Sequence, residues 1–493
     1  MKTLSRVLPS LMVVGLLCLA SLAPSAHGSA TSWPGPKSPL SGSVLMAQAI
    51  HSGTVKPTGG TSRPRPGVQP NVQASEDGRP VDETPLANNP RNSQQLLTGG
   101  NDYNCPSLQG FYASSDGGAT WNSTCMATLP GLFGFGDPAV GYDLNNTAYI
   151  AGIDAKGDFT DAHIVFEKST DNGATWSAPA VAVNPTLGGL TDKEWLQIDT
   201  NPASPHANTL YISVTQFDPT GFNTEISVSH SGDGGATWTT SVVDTEQLFP
   251  TVDQFSDLAI GKDGTVYVSW MRCTANGPTG GCGGTTATLL LSKSTDGGNT
   301  WSAPATIAQV NLAPDTCGAF YGCLPNTFER VSEIPVIDIS NGPVHAGRLY
   351  AAFYNWTGTF MQVQVAASSD GGTTWGAAVP VAPASDTHDQ FFPWLSVNSQ
   401  GVVGVTWLDR RNDPSNVSYE AFATTSSNGG IAFTPNRQIA TAPSNPFNDG
   451  FGGGFMGDYT GNAWVGKTLY ASWSDTRNTI NAQDEVGGFA FGR

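Results

Sequence analysis

The chain runs in short bursts of alternating apolar and polar residues, cut at intervals by Gly, Asn and Asp. Thr147-Ala148-Tyr149-Ile150, Thr209-Leu210-Tyr211-Ile212, Thr265 to Trp270, Arg348-Leu349-Tyr350-Ala351, Val403 to Trp407 and Thr468 to Trp473 all follow a turn and carry an aromatic or branched residue at matching places. Gln95-Leu96-Leu97-Thr98 is a weaker member of the set. Period-two alternation of this kind predicts strands. Each burst follows another apolar stretch that starts near an acid: Glu83, Asp137, Asp192, Asp253, Glu333, Asp389 and Asp458. The pattern therefore predicts seven strand pairs and an all-β chain.

Between the pairs an octapeptide, Ser-x-Asp-x-Gly-x-Thr-Trp, recurs at Ser114–Trp121, Ser169–Trp176, Ser231–Trp238, Ser294–Trp301 and Ser368–Trp375. A worn copy starts at Ser426 and ends at Phe433. The glycines supply positive-φ positions, the Asp can accept hydrogen bonds from turn amides, and the Ser and Thr hydroxyls can close the loop. Asp116, Asp171, Asp233, Asp296 and Asp370 therefore read as turn-formers. Self-similarity at roughly the length of a four-stranded sheet predicts a β-propeller. Seven pairs predict seven blades, with six blades plus an appendage as the alternative. The last unit is one strand short, and Pro70-Asn71-Val72-Gln73-Ala74 resembles the fourth strands of other blades. It is expected to complete that blade and close the ring.

In a four-stranded blade the innermost strand starts, and the second strand ends, on one face, with the octapeptide turns on the other. The second strands end in Asp102, Asp154, Gln216, Arg272, Asn355, Asp409 and Asp475, with Arg410, Arg411 and Arg477 beside them. First-strand starts add Asp137, Asp192, Lys193, Asp253, Asp389, Asp458 and Tyr459. A channel mouth holding both signs of charge, in a chain only 13% charged, is a candidate ligand site. The same Asp and Arg residues can equally serve as ties between blades.

Composition adds the compartment. Lys2 and Arg6 precede the apolar run Val7–Ala20, and small residues around Ala26-His27-Gly28 offer a cleavage site, so residues 1–28 read as a secretory signal and the location as extracellular or periplasmic. Residues 29–66, rich in Pro, Gly, Ser and Thr, are expected to be a disordered linker, and 67–493 the propeller. Six of the 7 cysteines lie beyond the signal, and short loops favour Cys105–Cys125, Cys273–Cys282 and Cys317–Cys323. The net charge of −18 disfavours nucleic acid and anionic membranes as partners. No second apolar stretch reaches membrane-spanning length, so no membrane insertion is expected.

The five octapeptides, Asp389 to Trp394, Trp407 to Asp413, Gly457-Asp458-Tyr459 and Trp473 to Asn478 together resemble secreted bacterial BNR, or Asp-box, repeat proteins of the sialidase-like (neuraminidase superfamily) kind. The likeness covers about residues 70–493. It implies a glycosidase. In a sialidase three arginines hold the sugar carboxylate, a Tyr activated by a Glu is the nucleophile, and an Asp is the acid/base. Carried over, Arg272, Arg410 or Arg411, and Arg477 supply the clamp. Tyr459 or Tyr354 is the nucleophile, Glu329 or Glu333 its base, and Asp137 or Asp253 the acid. Asp389, Asp409, Asp458 and Asp475 complete the substrate-binding set. The chain departs from the pattern in having no Arg-Ile-Pro element and in counting seven units where sialidases have six blades.

Three readings remain open from the residues. One is a hydrolase of extracellular glycans, sialidase-like or using an Asp pair on a neutral glycan, as seven-bladed Asp-box xyloglucanases do. Another is a non-catalytic module binding glycan or glycoprotein, with Trp356, Phe391, Phe392 and Trp394 as stacking candidates. The third is a structural propeller holding Ca²⁺. No other cofactor is implied, and a monomer is expected.

Overall fold

The computed structural model describes residues 37–58, 71–76, 78–453, 455–477 and 484–491. Seven antiparallel sheets follow one another around a ring. The first has an innermost strand in two pieces, Val81–Asp82 and Leu86–Asn89, both paired to Asn92–Asp102. Blades two to six begin at Phe133, Thr191, Thr251, Val336 and Gln390. The seventh contains Gly461–Val465, Thr468–Asp475 and Asp484–Phe491, and its fourth strand is Val72–Gln73 from the other end of the chain. Val72 pairs with Gly487 and Gln73 with Val486. The seven-bladed count and the closing strand expected from the sequence are both what the fold contains. Asn71 secures the closure from the side: its amide donates to Ile439 O at 2.9 Å, and its carbonyl accepts from Thr441 N at 2.7 Å and Arg477 Nη1 at 2.8 Å.

The octapeptide turns are latched alike. In the first, Asp116 accepts from Ser114 Oγ at 2.9 Å, Thr120 N at 2.9 Å and Thr120 Oγ1 at 2.7 Å, and Ser114 Oγ accepts from Gly118 N at 2.9 Å. Asp171, Asp233, Asp296 and Asp370 repeat the pattern, and Asn428 replaces the carboxylate in the worn copy. Donors converging on the carboxylate, the Thr hydroxyl foremost, hold Asp171, Asp233 and Asp370 down at about 2. These residues build turns.

All three expected disulfides form. Cys105–Cys125, with a sequence separation of 20, joins the loop after the second strand of blade one to its fourth strand. Replacing both with Ser should lower the unfolding free energy by about 3 kcal/mol, the loop-closure entropy of a span this long. Urea titration checks this, and no change would mean that blade one is already fully constrained by its sheet. No helix among the described residues is long and apolar enough to cross a membrane.

The expected signal peptide and its cleavage site lie outside the described residues. The disordered linker expected over 29–66 is corrected within residues 37–58, and the rest of that range lies outside the described residues. Gly42–His51 forms helix α1, capped by Ser41, whose hydroxyl accepts from Val44 N. Gly42 to Ala47 are buried. Leu40, Val44, Leu45 and Met46 pack in one cluster with Tyr103, Phe135 and Phe455. Tertiary burial of this short apolar run outweighs the flexible composition around it.

Candidate functional site

A recurrent irregularity shapes the hub. The pairing of first and second strands slips between Gly136 and Ala139, Asp192 and Trp195, Gln254 and Asp257, and Phe391 and Trp394. Each slip contains a left-handed residue: Asp137 (φ 56°), Lys193 (φ 53°), Phe255 (φ 65°) and Phe392 (φ 47°). Glu83 (φ 58°) holds the corresponding place in blade one, and in blade seven Gly457 (φ 82°) precedes Asp458. A bulge re-aims the side chains on either side of it. A non-glycine residue at positive φ is uncommon, and strain of this kind collects where a protein holds a functional geometry.

The re-aimed side chains form a fully buried acid ring. Asp82, Glu83, Asp137, Asp192, Lys193, Glu194 and Asp458 are all at most 1% exposed. Asp82 accepts from Asn101 Nδ2 at 2.7 Å, and Asn101 Oδ1 accepts from Asp137 N at 2.9 Å. Glu83 accepts from Asp458 N at 3.0 Å, and Asp192 from Gln254 Nε2 at 2.8 Å. Neither side-chain oxygen of Asp137 or of Glu194 has a hydrogen-bond partner among the described residues, and Lys193 Nζ has none either. The Lys193 ammonium stands 3.7 Å from the centre of the Tyr459 ring. Burial, reinforced by the charge of Asp137, drives the Glu83 and Glu194 carboxyls well above their usual range, and burial first carries Asp192 up to about 7. These groups hold protons where ordinary carboxylates have lost them.

The remaining sequence-selected residues are paired elsewhere. Asp253 accepts from Arg272 Nε at 2.6 Å and Trp270 Nε1 at 3.1 Å, and Arg272 reaches Asp244 of the preceding blade at 2.6 Å. Asp409 takes Trp407 Nε1 at 2.7 Å and Arg411, whose guanidinium also meets Asp386 at 3.1 Å. Asp475 takes Trp473 Nε1 at 3.0 Å and Arg477 at 2.6 Å. A Trp–Asp–Arg strut thus recurs in blades four, six and seven. Arg410 is fully buried between Glu329 at 2.7 Å and Asp389 at 3.3 Å. Each guanidinium named for a carboxylate clamp is already committed to protein acids.

Of the two candidate nucleophiles, Tyr459 lies at the hub, its hydroxyl donating to Pro138 O at 2.8 Å. Burial, then the charge of Glu83, pushes its phenol well above 10, opposite to activation. Glu333 sits instead against Tyr354, accepting from its amide at 3.2 Å. The stacking candidates Phe391, Phe392 and Trp394 are buried, at 0%, 2% and 5% exposure. Among the described residues no group of three or more His, Cys, Asp or Glu side chains is placed to hold a metal ion.

Trp195, Trp394 and Tyr459 close the channel below the ring, with the two indole centres 4.5 Å apart. Beyond them, toward the octapeptide turns, lies a cavity of about 320 Å³ lined by the ends of all seven first strands. On the acid side the mouth is covered by the segment leading into α1. Ser41 N donates to Asp192 at 2.8 Å and Gly42 N to Asp458 at 2.7 Å. Asp458 also meets Arg330 at 2.9 Å and Ser332 at 2.9 Å. Arg330 and Glu194 were not singled out from the sequence. Glu194 had a signal, since it follows Asp192-Lys193 at a first-strand start; Arg330 lies in the irregular stretch between blades four and five, where no periodicity places it.

No protein-family model matches the sequence, and no curated protein matches it. Among solved structures the chain is similar to a protein of unknown function from Dyadobacter fermentans (15% identity, 74% of this chain and 96% of that one, TM-score 0.46). It is also similar to the intramolecular trans-sialidase of Ruminococcus gnavus (11%, 67% and 90%, 0.46) and an α-L-arabinanase of Penicillium chrysogenum (12%, 71% and 92%, 0.45). The seven-bladed propeller stands on the chain's own strand order, and these are chains to which it is similar in fold alone.

Proposed function

We propose that this chain is a secreted Asp-box propeller that acts on neutral extracellular glycans, with the acid ring at the hub as its site. The carrying observation is Asp137: fully buried, strained at positive φ, without a hydrogen bond on either oxygen among the described residues, and set among Glu83 and Glu194, which keep their protons. A buried carboxyl left without partners is costly, and a protein retains one where chemistry uses it. Glycoside hydrolysis needs one carboxyl that can deliver a proton and a second that acts as base or nucleophile. In this reading Glu83 or Glu194 delivers the proton and Asp137 is the second group. A sialic acid substrate is disfavoured, because Arg272, Arg410, Arg411 and Arg477 are all engaged with Asp or Glu.

The same saturation of arginines favours a second reading, a propeller that binds glycan without cleaving it. Fluorogenic sialosides and a panel of neutral aryl glycosides separate the two, assayed on the intact chain and on the chain freed of residues 37–58. Cleavage of a neutral glycoside, lowered about a hundredfold or more by Asp137→Asn, is the expected result. Sialoside cleavage, or activity indifferent to Asp137→Asn and Glu194→Gln, would remove the hub from consideration. Glycan binding without cleavage in either form supports the second reading.

A further inference from the structure

The cover over the acid ring is made of this chain's own backbone. We propose that the segment from Lys37 to Val55 is an intramolecular occupant of the site, a plug that must leave before any ligand reaches Asp137, Asp192 and Asp458. The identity of the excluded ligand rests on the reading above; the occupancy does not.

The way the segment is held supports this. The ring recognises it through its main chain. Asp192 and Asp458 accept from the amides of Ser41 and Gly42. Gln254 Nε2 donates to Pro39 O at 3.2 Å, Tyr321 OH to the same oxygen at 2.7 Å, and Arg330 Nη1 to Leu40 O at 3.3 Å. Acceptors and donors from remote blades thus meet one short peptide, as side chains of a binding site meet a ligand. The amides at the start of α1 have no partner within the helix, and the acidic oxygens they face satisfy them. Lys37 adds a peripheral anchor at 2.6 Å from Asp315.

The fit is close at one point. A Cβ on Gly42 would stand 2.3 Å from the Phe455 ring and 3.1 Å from Asp458. Any side chain there must push the segment away from the ring or displace Phe455. Past α1, Ser52, Gly53, Thr54 and Lys56 are exposed. The strand that closes the wheel begins only at Val72. The plug and the closing strand are therefore separable: a cut beyond Lys56 frees the first and leaves the second paired.

The test uses the full chain with a site-specific protease sequence inserted between Lys56 and Pro57, folded first and cut afterwards. The probe is a fluorescent synthetic peptide covering residues 37–55. The cut wheel should release its segment without unfolding, bind the probe reversibly, and lose that binding with Asp458→Asn. Gly42→Leu in the uncut chain should raise the apparent affinity for the probe by about tenfold or more, because a site already occupied lowers apparent affinity by the fraction that is open. If the hub hydrolyses glycosides, cutting should raise the rate and added peptide should suppress it. A segment that comes away only when the wheel unfolds would overturn the proposal and make α1 ordinary core. Equal glycosidase activity before and after cutting would also overturn it, while leaving the site in place. Reversible probe binding with no glycan bound or cleaved would uphold the plug and sink the glycan reading alone.

Discussion

Arg410→Met is expected to cost about 3–5 kcal/mol of stability, the penalty for stripping the cation from a buried ion pair. The guanidinium is fully buried and joins Glu329, Asp389, Thr327 Oγ1 at 3.1 Å, Pro325 O at 3.1 Å and Asn416 O at 3.2 Å. It therefore ties the irregular stretch before blade five to the start of blade six. Methionine matches the stem in volume but leaves two carboxyls facing each other without a counter-ion. Burial already lifts Glu329 to about 7 against the pull of Arg410, and without that pull it rises further. The loss should therefore be smaller at pH 5, where Glu329 can take a proton, than at pH 8. Adding Glu329→Gln should restore part of the stability, as a double-mutant cycle measures. Urea unfolding of the single variant at both pH values decides it: a change below about 1 kcal/mol at pH 8 would mean that Arg410 is not a tie.

The second large effect is on pH dependence. Burial raises Asp257 to about 7, its amide partners Ile337 and Leu258 notwithstanding, and Asp192 and Glu329 to about the same value. In the unfolded chain these groups titrate near 4. Between those values the folded protein binds more protons than the unfolded one, so stability falls as pH rises. The contribution is complete below the unfolded value and gone above about 7. For Asp257 alone the loss from pH 5 to pH 8 is on the order of 3 kcal/mol. The turn aspartates held at about 2 act in the opposite sense: their contribution is present above the unfolded value and disappears as pH falls toward 2. The unfolding midpoint should therefore peak in mildly acidic solution. Asp257→Asn, which keeps an acceptor for Ile337 N (2.6 Å from the native oxygen), should flatten the alkaline limb. A midpoint that climbs steadily to pH 8 would contradict the burial of these acids as described.

Much of the architecture was legible because it is written in local chemistry. Turn residues at fixed offsets and strands of period two repeat often enough to be counted, and a missing fourth strand in the last unit pointed to its substitute at Val72–Gln73. The mouth residues were legible as a set, since strand direction alone assigns them a face. What each one does was not. Arg411 could be read beside Asp409, but its contact with Asp386 depends on how a loop returns between blades. Arg272 meets Asp244 only because two sheets stand side by side. The helix was missed although Ser41 is a sound N-cap and Leu45 to Ala49 are good helix formers. Averaged with the Pro, Gly and Ser around it, the run loses its signal, and what holds it is apolar burial against Tyr103, Phe135 and Phe455 together with acids drawn from distant blades.

Since Val72 finds its partner in Gly487, one strand of the last blade is made early in synthesis and the other three late. A chain still emerging from the ribosome carries an unmated β-edge at each end of its arc, open to other strands. Docking of the ends is among the most non-local events this topology demands, so it should come late and slowly. Protection of both edges until that docking follows as a requirement on whatever handles the newborn protein.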